Sequence, residues 1–96
     1  MNRKDILLEA INQVTGYREE DYGKVEDNFS IISAFWTVYL SDKLGVSEAI
    51  TAKDVAMMMA LLKVARIKSD TKSDSYVDLA GYAACAGEIG ITEEKK

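Results

Sequence analysis

Lys63, Arg66, Asp74, Tyr76 and Asp78 are the residues whose types and spacing point most directly to chemistry. Lys63 and Arg66 stand three apart, and Asp74 and Asp78 four apart, spacings that set each pair on one face of a helix. They flank a polar turn in the stretch DVAMMMALLKVARIKSDTKSDSYVDLAGYAACAGE. If the two flanking segments pack antiparallel, cations and carboxylates meet at one end of the hairpin. Such a cluster is either a structural ion-pair network or a site for a phosphorylated ligand. In the second case Lys63 and Arg66 bind phosphate, and the carboxylates hold a hard cation, Mg2+ or Mn2+, through one or two oxygens plus the ligand's own.

Two absences narrow the alternatives. The chain has no His, which removes imidazole bases, Ser-His-Asp triads and imidazole metal ligands. Its one cysteine, Cys85, has no His to activate it and reads as an inert thiol in a reducing cytoplasm. The net charge of −4 argues against non-specific DNA or RNA binding. It leaves room for a small anion at a local basic spot.

The elements that must position these residues read as four helices in a single domain, residues 1–96, with a core over 3–90 and a fraying tail over 91–96. The first spans 3–14, with Ile6, Leu7, Ala10, Ile11 and Val14 at helical spacing and Gly16 as its stop. The second spans 25–44, with Phe29, Ile32, Phe35, Trp36, Tyr39 and Leu40 as a wide apolar face closed by Gly45. The third runs from a Thr51 cap, with Asp54 as its capping-box partner, to Ile67. The fourth spans 75–89. The absence of Pro suits long helices. Val55–Leu62 is apolar nearly all round, so the third helix is expected at the centre, against a copy of itself in a dimer or higher homo-oligomer. That run is too short to span a membrane. The amphipathic N-terminus MNRKDILLEAINQV has no signal-peptide core, which with the other features gives a cytoplasmic expectation. Gly81 and Gly87 cost helix propensity and imply close packing of the fourth helix.

An up-and-down arrangement with short connections extends the cluster. Counting outward from Thr71 sets Asp78 opposite Lys63 to Arg66; counting outward from Glu48 sets Glu26 and Asn28 level with Arg66. The first connection, with Arg18 and Tyr22, falls at the same end. The candidate ligand-binding residues are therefore Arg18, Tyr22, Asn28, Lys63, Arg66 and Tyr76. The candidate catalytic and metal-holding residues are Glu26, Asp74 and Asp78. N-termini of the second and fourth helices at this end would favour phosphate. Blander readings stand beside each: Asp74 and Glu26 suit first turns by the helix dipole, Lys63, Arg66 and Asp78 suit an ion-pair network, and Phe29, Trp36 and Tyr39 suit a core.

The pattern Arg18…Tyr22-Gly23…Asn28-Phe29…Trp36, Asp54-Val55-Ala56…Met58…Leu62-Lys63…Ala65-Arg66 and Asp74…Tyr76…Asp78…Ala80-Gly81-Tyr82-Ala83 resembles a family of small phage and prophage proteins of unknown function, over about Tyr17 to Glu88. More distantly the layout is similar to MazG-like all-α nucleoside triphosphate pyrophosphohydrolases, which hold magnesium on E-x-x-E and E-x-x-D motifs. The resemblance implies a compact four-helix antiparallel bundle of MazG type. The chain departs from it: Asp54-Val55-Ala56-Met57 supplies no E-x-x-E, and Asp74 and Asp78 are four apart instead of three. Three functions follow: a MazG-like hydrolase, a non-catalytic protein that sequesters a nucleotide, or a helical protein–protein interaction module.

Overall fold

The computed structural model describes residues 1–17, 25–45, 47–69 and 72–94, without the side chains of residues 17, 25, 26, 93 and 94. It is all-helical over these residues. Helix α1 is Arg3–Asn12, followed by a π-helical turn Gln13–Tyr17; α2 is Val25–Leu44, α3 Ala52–Ser69 and α4 Ser73–Glu94.

Local chemistry sets the helix ends. The Thr51–Asp54 capping box forms as expected: the Asp54 amide donates to Thr51 Oγ1 at 3.1 Å and the Thr51 amide to the Asp54 carboxylate at 3.0 Å. A second capping box, with no counterpart in the sequence reading, opens α1. The Asp5 amide donates to Asn2 Oδ1 at 2.9 Å and the Asn2 amide to Asp5 Oδ2 at 3.2 Å. Gly45 ends α2 with φ of 67°, a left-handed conformation that glycine adopts without steric cost. Gly16 does not stop the first helix; it lies inside the π-helical turn. That turn brings Val14 onto α4. The fourth helix starts two residues earlier than expected and continues to Glu94.

Packing is densest between α3 and α4. As residue numbers rise from Lys53 to Lys63 on α3, their neighbours fall from Gly90 to Asp78 on α4, so the two helices run antiparallel. Small residues allow the approach. Ala56, Ala60, Ala86 and Gly81 are all buried, and a Cβ on Gly81 would stand 3.3 Å from Val14 Cγ1. Gly87 is exposed with nothing near its missing Cβ, so close packing does not explain it. The core comprises Phe29, Val55, Ala56, Cys85, Ala86 and Ile89, flanked by Val14, Ile32, Trp36, Ile50, Met59 and Tyr82.

The other two helices lean on this hairpin from different sides. Helix α1 packs mainly on α4, and α2 mainly on α3. Thr37 fixes the second contact. Its Oγ1 accepts from the Ile50 amide at 2.8 Å and donates to the Ser33 carbonyl at 2.7 Å, tying α2 to the strand of chain entering α3.

The all-helical expectation holds over the described residues. The radius of gyration is 14.5 Å, against about 12.5 Å for a compact chain of this length. Helix α2 meets α4 through few residues, Phe29 against Tyr82 among them. The expectation that Tyr39 lies in the core is overturned, since it is exposed, as is Phe35 of the same wide apolar face. Among the described residues no helix is long and apolar enough to cross a membrane.

Candidate functional site

Antiparallel packing of α3 on α4 brings Lys63 to Asp78. Lys63 Nζ lies 3.0 Å from Asp78 Oδ2, and the two side chains retain 13% and 20% of their exposure. Helix geometry explains the contact. Lys63 lies on the α3 stripe that includes Ala56 and Ala60, both buried. Asp78 lies one residue from the buried Val77, at the edge of α4's packed face. The lysine stem therefore runs along apolar surface while the ammonium reaches the carboxylate.

The other predicted residues divide into three groups. Arg66 is one turn beyond Lys63 and exposed, and it has no ion-pair partner among the described residues. Asp74 is exposed in the first turn of α4, and Tyr76 is exposed two residues on. These three share the Lys63–Asp78 end of the hairpin. Asn28 is exposed near the start of α2 and makes no hydrogen bond to the pair. Arg18 and Tyr22 lie outside the described residues, as does the side chain of Glu26, whose backbone belongs to the first turn of α2.

Could the acids hold a metal? Among the described residues no three acidic or cysteine groups converge on one point. One oxygen of Asp78 already faces an ammonium, which a divalent cation would have to displace. The described donor set fits an ion pair better than magnesium, and the side chain of Glu26, the third acid expected at the site, lies outside it.

A second feature lies at the other end of the same hairpin. Lys53, Met57, Ala83, Ala86, Gly87, Gly90 and Ile91 line an open cleft of about 440 Å³. The Lys53 stem lies across Gly90, at 3.3 Å from where a Cβ would stand. None of the predicted site residues lines this cleft. The run of Ala and Gly along α4 was the available signal, because small side chains leave space where larger ones would fill it.

The fold and this cluster define a small all-helical protein whose Lys63–Asp78 ion pair ties two antiparallel helices together at their connected end. Over residues 5–90 the chain matches the model of a domain of unknown function, DUF6378, and it belongs to that family. It is 37% identical over 92 residues to the Gene 55 protein of Mycobacterium phage L5, covering 95% of this chain and 56% of that one. It is likewise 37% identical over 87 residues to the Gene 55 protein of Mycobacterium phage D29, covering 90% of this chain and 54% of the relative. The chain thus spans little more than half the length of these relatives. No solved structure matches it.

Proposed function

We propose that this phage-family protein binds a nucleotide or another phosphorylated small molecule at the connected end of the α3–α4 hairpin. The observation that supports the reading is the state of the two cations. Lys63 is held by Asp78, whereas Arg66, one turn away on the same helix, is exposed and unengaged among the described residues. A guanidinium in that position offers bidentate hydrogen bonds to a phosphate. The first turn of α4 adds free amides and the positive end of a long helix dipole. Tyr76 supplies an exposed ring on the same turn, suited to stacking on a base. Arg18, Tyr22 and Asn28 are the proposed further contacts.

Binding without turnover is the form of the proposal that these groups favour. Asp74 and Asp78 are the acids available for MazG-like hydrolysis of a nucleoside triphosphate. With Asp78 neutralised by Lys63, that chemistry requires Glu26 to join them around Mg2+ or Mn2+. The interaction-module alternative has one observation in its favour, the mostly covered Lys63–Asp78 pair, which resembles a structural clasp.

The test is equilibrium dialysis and thermal shift with a panel of nucleoside triphosphates, monophosphates and cyclic dinucleotides, with and without magnesium or manganese. Binding is expected for at least one class, with the ligand recovered intact. Arg66→Ala is expected to weaken it about 10-fold or more, the worth of a charge-assisted hydrogen bond, while leaving the helical circular dichroism unchanged. Conversion of a triphosphate to monophosphate and pyrophosphate, lost in Asp78→Asn, would replace sequestration by the hydrolase reading. No binding across the panel would sink both and leave the interaction module.

A further inference from the structure

The outer face of α2 departs from that of an ordinary soluble helix. Ile31, Phe35, Val38 and Tyr39 follow one another at helical spacing, about a third of a turn round from the face that carries Phe29, Ile32 and Trp36 into the core. Phe35 and Val38 are 72% and 70% exposed. Helix α3 also carries exposed apolar side chains. Val55, Met58 and Leu62 form one stripe, in which Val55 is fully covered and the other two are open. Monomeric proteins seldom expose a contiguous patch of this kind.

We propose that this face is the interface with a second copy of the chain, formed by antiparallel pairing of α2 with its equivalent about a two-fold axis near Phe35. It differs from the central third-helix contact expected from the sequence, and it does not depend on the ligand proposal.

Three features favour a second copy. The first is area. Phe35 and Tyr39, 72% and 62% exposed, offer about 200–330 Å² at 150–250 Å² per aromatic side chain. A homodimer burying about 800 Å² per partner at ~65% apolar needs ~520 Å² of such surface. Ile31 and Val38 add roughly 60 Å² each, about half a fully buried aliphatic side chain, and the balance falls to exposed apolar residues outside α2, such as Met58 and Leu62 on α3.

The second is register. Two antiparallel helices centred on Phe35 set Ile31 level with Tyr39 of the second copy, so the apolar stripe covers itself. A two-fold axis requires this self-complementarity.

The third is charge. The same register brings Asn28 level with Asp42 of the second copy, an amide donor against a carboxylate. It sets the Asp27 end of one helix beside the Lys43 end of the other, and it opposes the two helix dipoles. Parallel pairing would instead set Asp27 on Asp27 and Asp42 on Asp42, with both dipoles aligned.

Sedimentation velocity of the full chain over a range of concentrations tests the proposal. A dimer is expected. Phe35→Glu is expected to weaken it about 30-fold or more, as removal of a central aromatic anchor does, with helical circular dichroism retained because the side chain is open. Phe35→Cys is expected to form a disulfide with its own equivalent on mild oxidation, whereas Val38→Cys is not, since residue 38 lies level with residue 32 of the second copy. Cys85 is buried and stays out of this exchange. A monomer at every concentration, a dimer indifferent to Phe35→Glu, or equal cross-linking at positions 35 and 38 would each overturn the proposal. The monomer outcome would leave the face to a different protein.

Discussion

The α3–α4 hairpin and the outer half of α2 are both rich in apolar residues, yet one is sealed and the other open. On α3, Val55 and Ala56 are completely buried, and Ala60 nearly so. On α2, Phe35 and Val38, larger or equally apolar, face outward. Hydrophobicity alone does not separate them. Side-chain size and the presence of a facing helix do. Ala56, Ala60 and Ala86 let two backbones come close enough for Lys63 to reach Asp78 and for the Lys53 stem to lie on Gly90, and Gly81 makes room for Val14. Helix α2 presents bulk on both faces and has a neighbour on only one.

The sharpest way to break this comparison is to remove the aromatic that joins the two regions. Phe29 is buried on the inner face of α2, within 6.1 Å of the Tyr82 ring on α4 by centroid distance. Phe29→Ala is expected to cost about 3–5 kcal/mol by lost burial and the cavity left behind. Urea denaturation followed by circular dichroism measures it. A loss below about 1 kcal/mol would mean that α2 is not anchored on the hairpin and that the core excludes it.

How far the sequence foretells this contrast depends on the kind of signal. The Thr51–Asp54 cap and the Gly45 stop are local: the atoms that bond lie within one turn, and residue type alone decides. The Lys63–Asp78 pair is legible for a related reason. A short connection between two helices leaves little freedom of register, so counting outward from the turn finds the partner. Thr37 gives no such signal. It bonds to Ile50 across a gap of 13 residues, and an isolated Thr in a helix does not announce a distant amide. Phe35 and Tyr39 fail for another reason. An arc of apolar residues wider than half a helix contains two possible core faces, and periodicity cannot choose between them. The observed core takes Phe29, Ile32 and Trp36, leaving Ile31, Phe35, Val38 and Tyr39 outside. At the candidate site, spacing identified the charged groups, but it did not distinguish the covered Lys63 from the open Arg66. That difference arises only when α4 lies over one stripe of α3.

A smaller effect sharpens the account of the sealed region. If close packing explains its glycines, then Gly81 and Gly87 must respond differently to the same added methyl. Gly87→Ala meets nothing within 4 Å, and it is expected to stabilise the protein by about 1 kcal/mol through helix propensity. Gly81→Ala gains the same propensity but places a Cβ 3.3 Å from Val14 Cγ1. Displacing that side chain is expected to cancel about 1 kcal/mol of gain or more. Thermal denaturation of the two variants side by side measures the difference. Equal stabilisation would show that the π-helical turn yields freely and that α4 is less tightly held than its geometry suggests.

The smallest expected effect is at Phe35, and its smallness is the informative part. A side chain 72% exposed contributes little to the fold of its own protomer. Phe35→Ala is therefore expected to change the protomer's unfolding free energy by no more than about 0.5 kcal/mol, against the several lost at Phe29 one and a half turns away on the same helix. The measurement must separate folding from association, because anything that binds the folded state raises apparent stability with concentration. Urea midpoints taken over a concentration series do this. In the native chain the midpoint should rise with concentration, and in Phe35→Ala the rise should shrink while the dilute limit stays in place. A dilute-limit loss comparable to that of Phe29→Ala would place Phe35 inside the protomer's own core. The two faces of α2 would then not differ in the way their exposure implies.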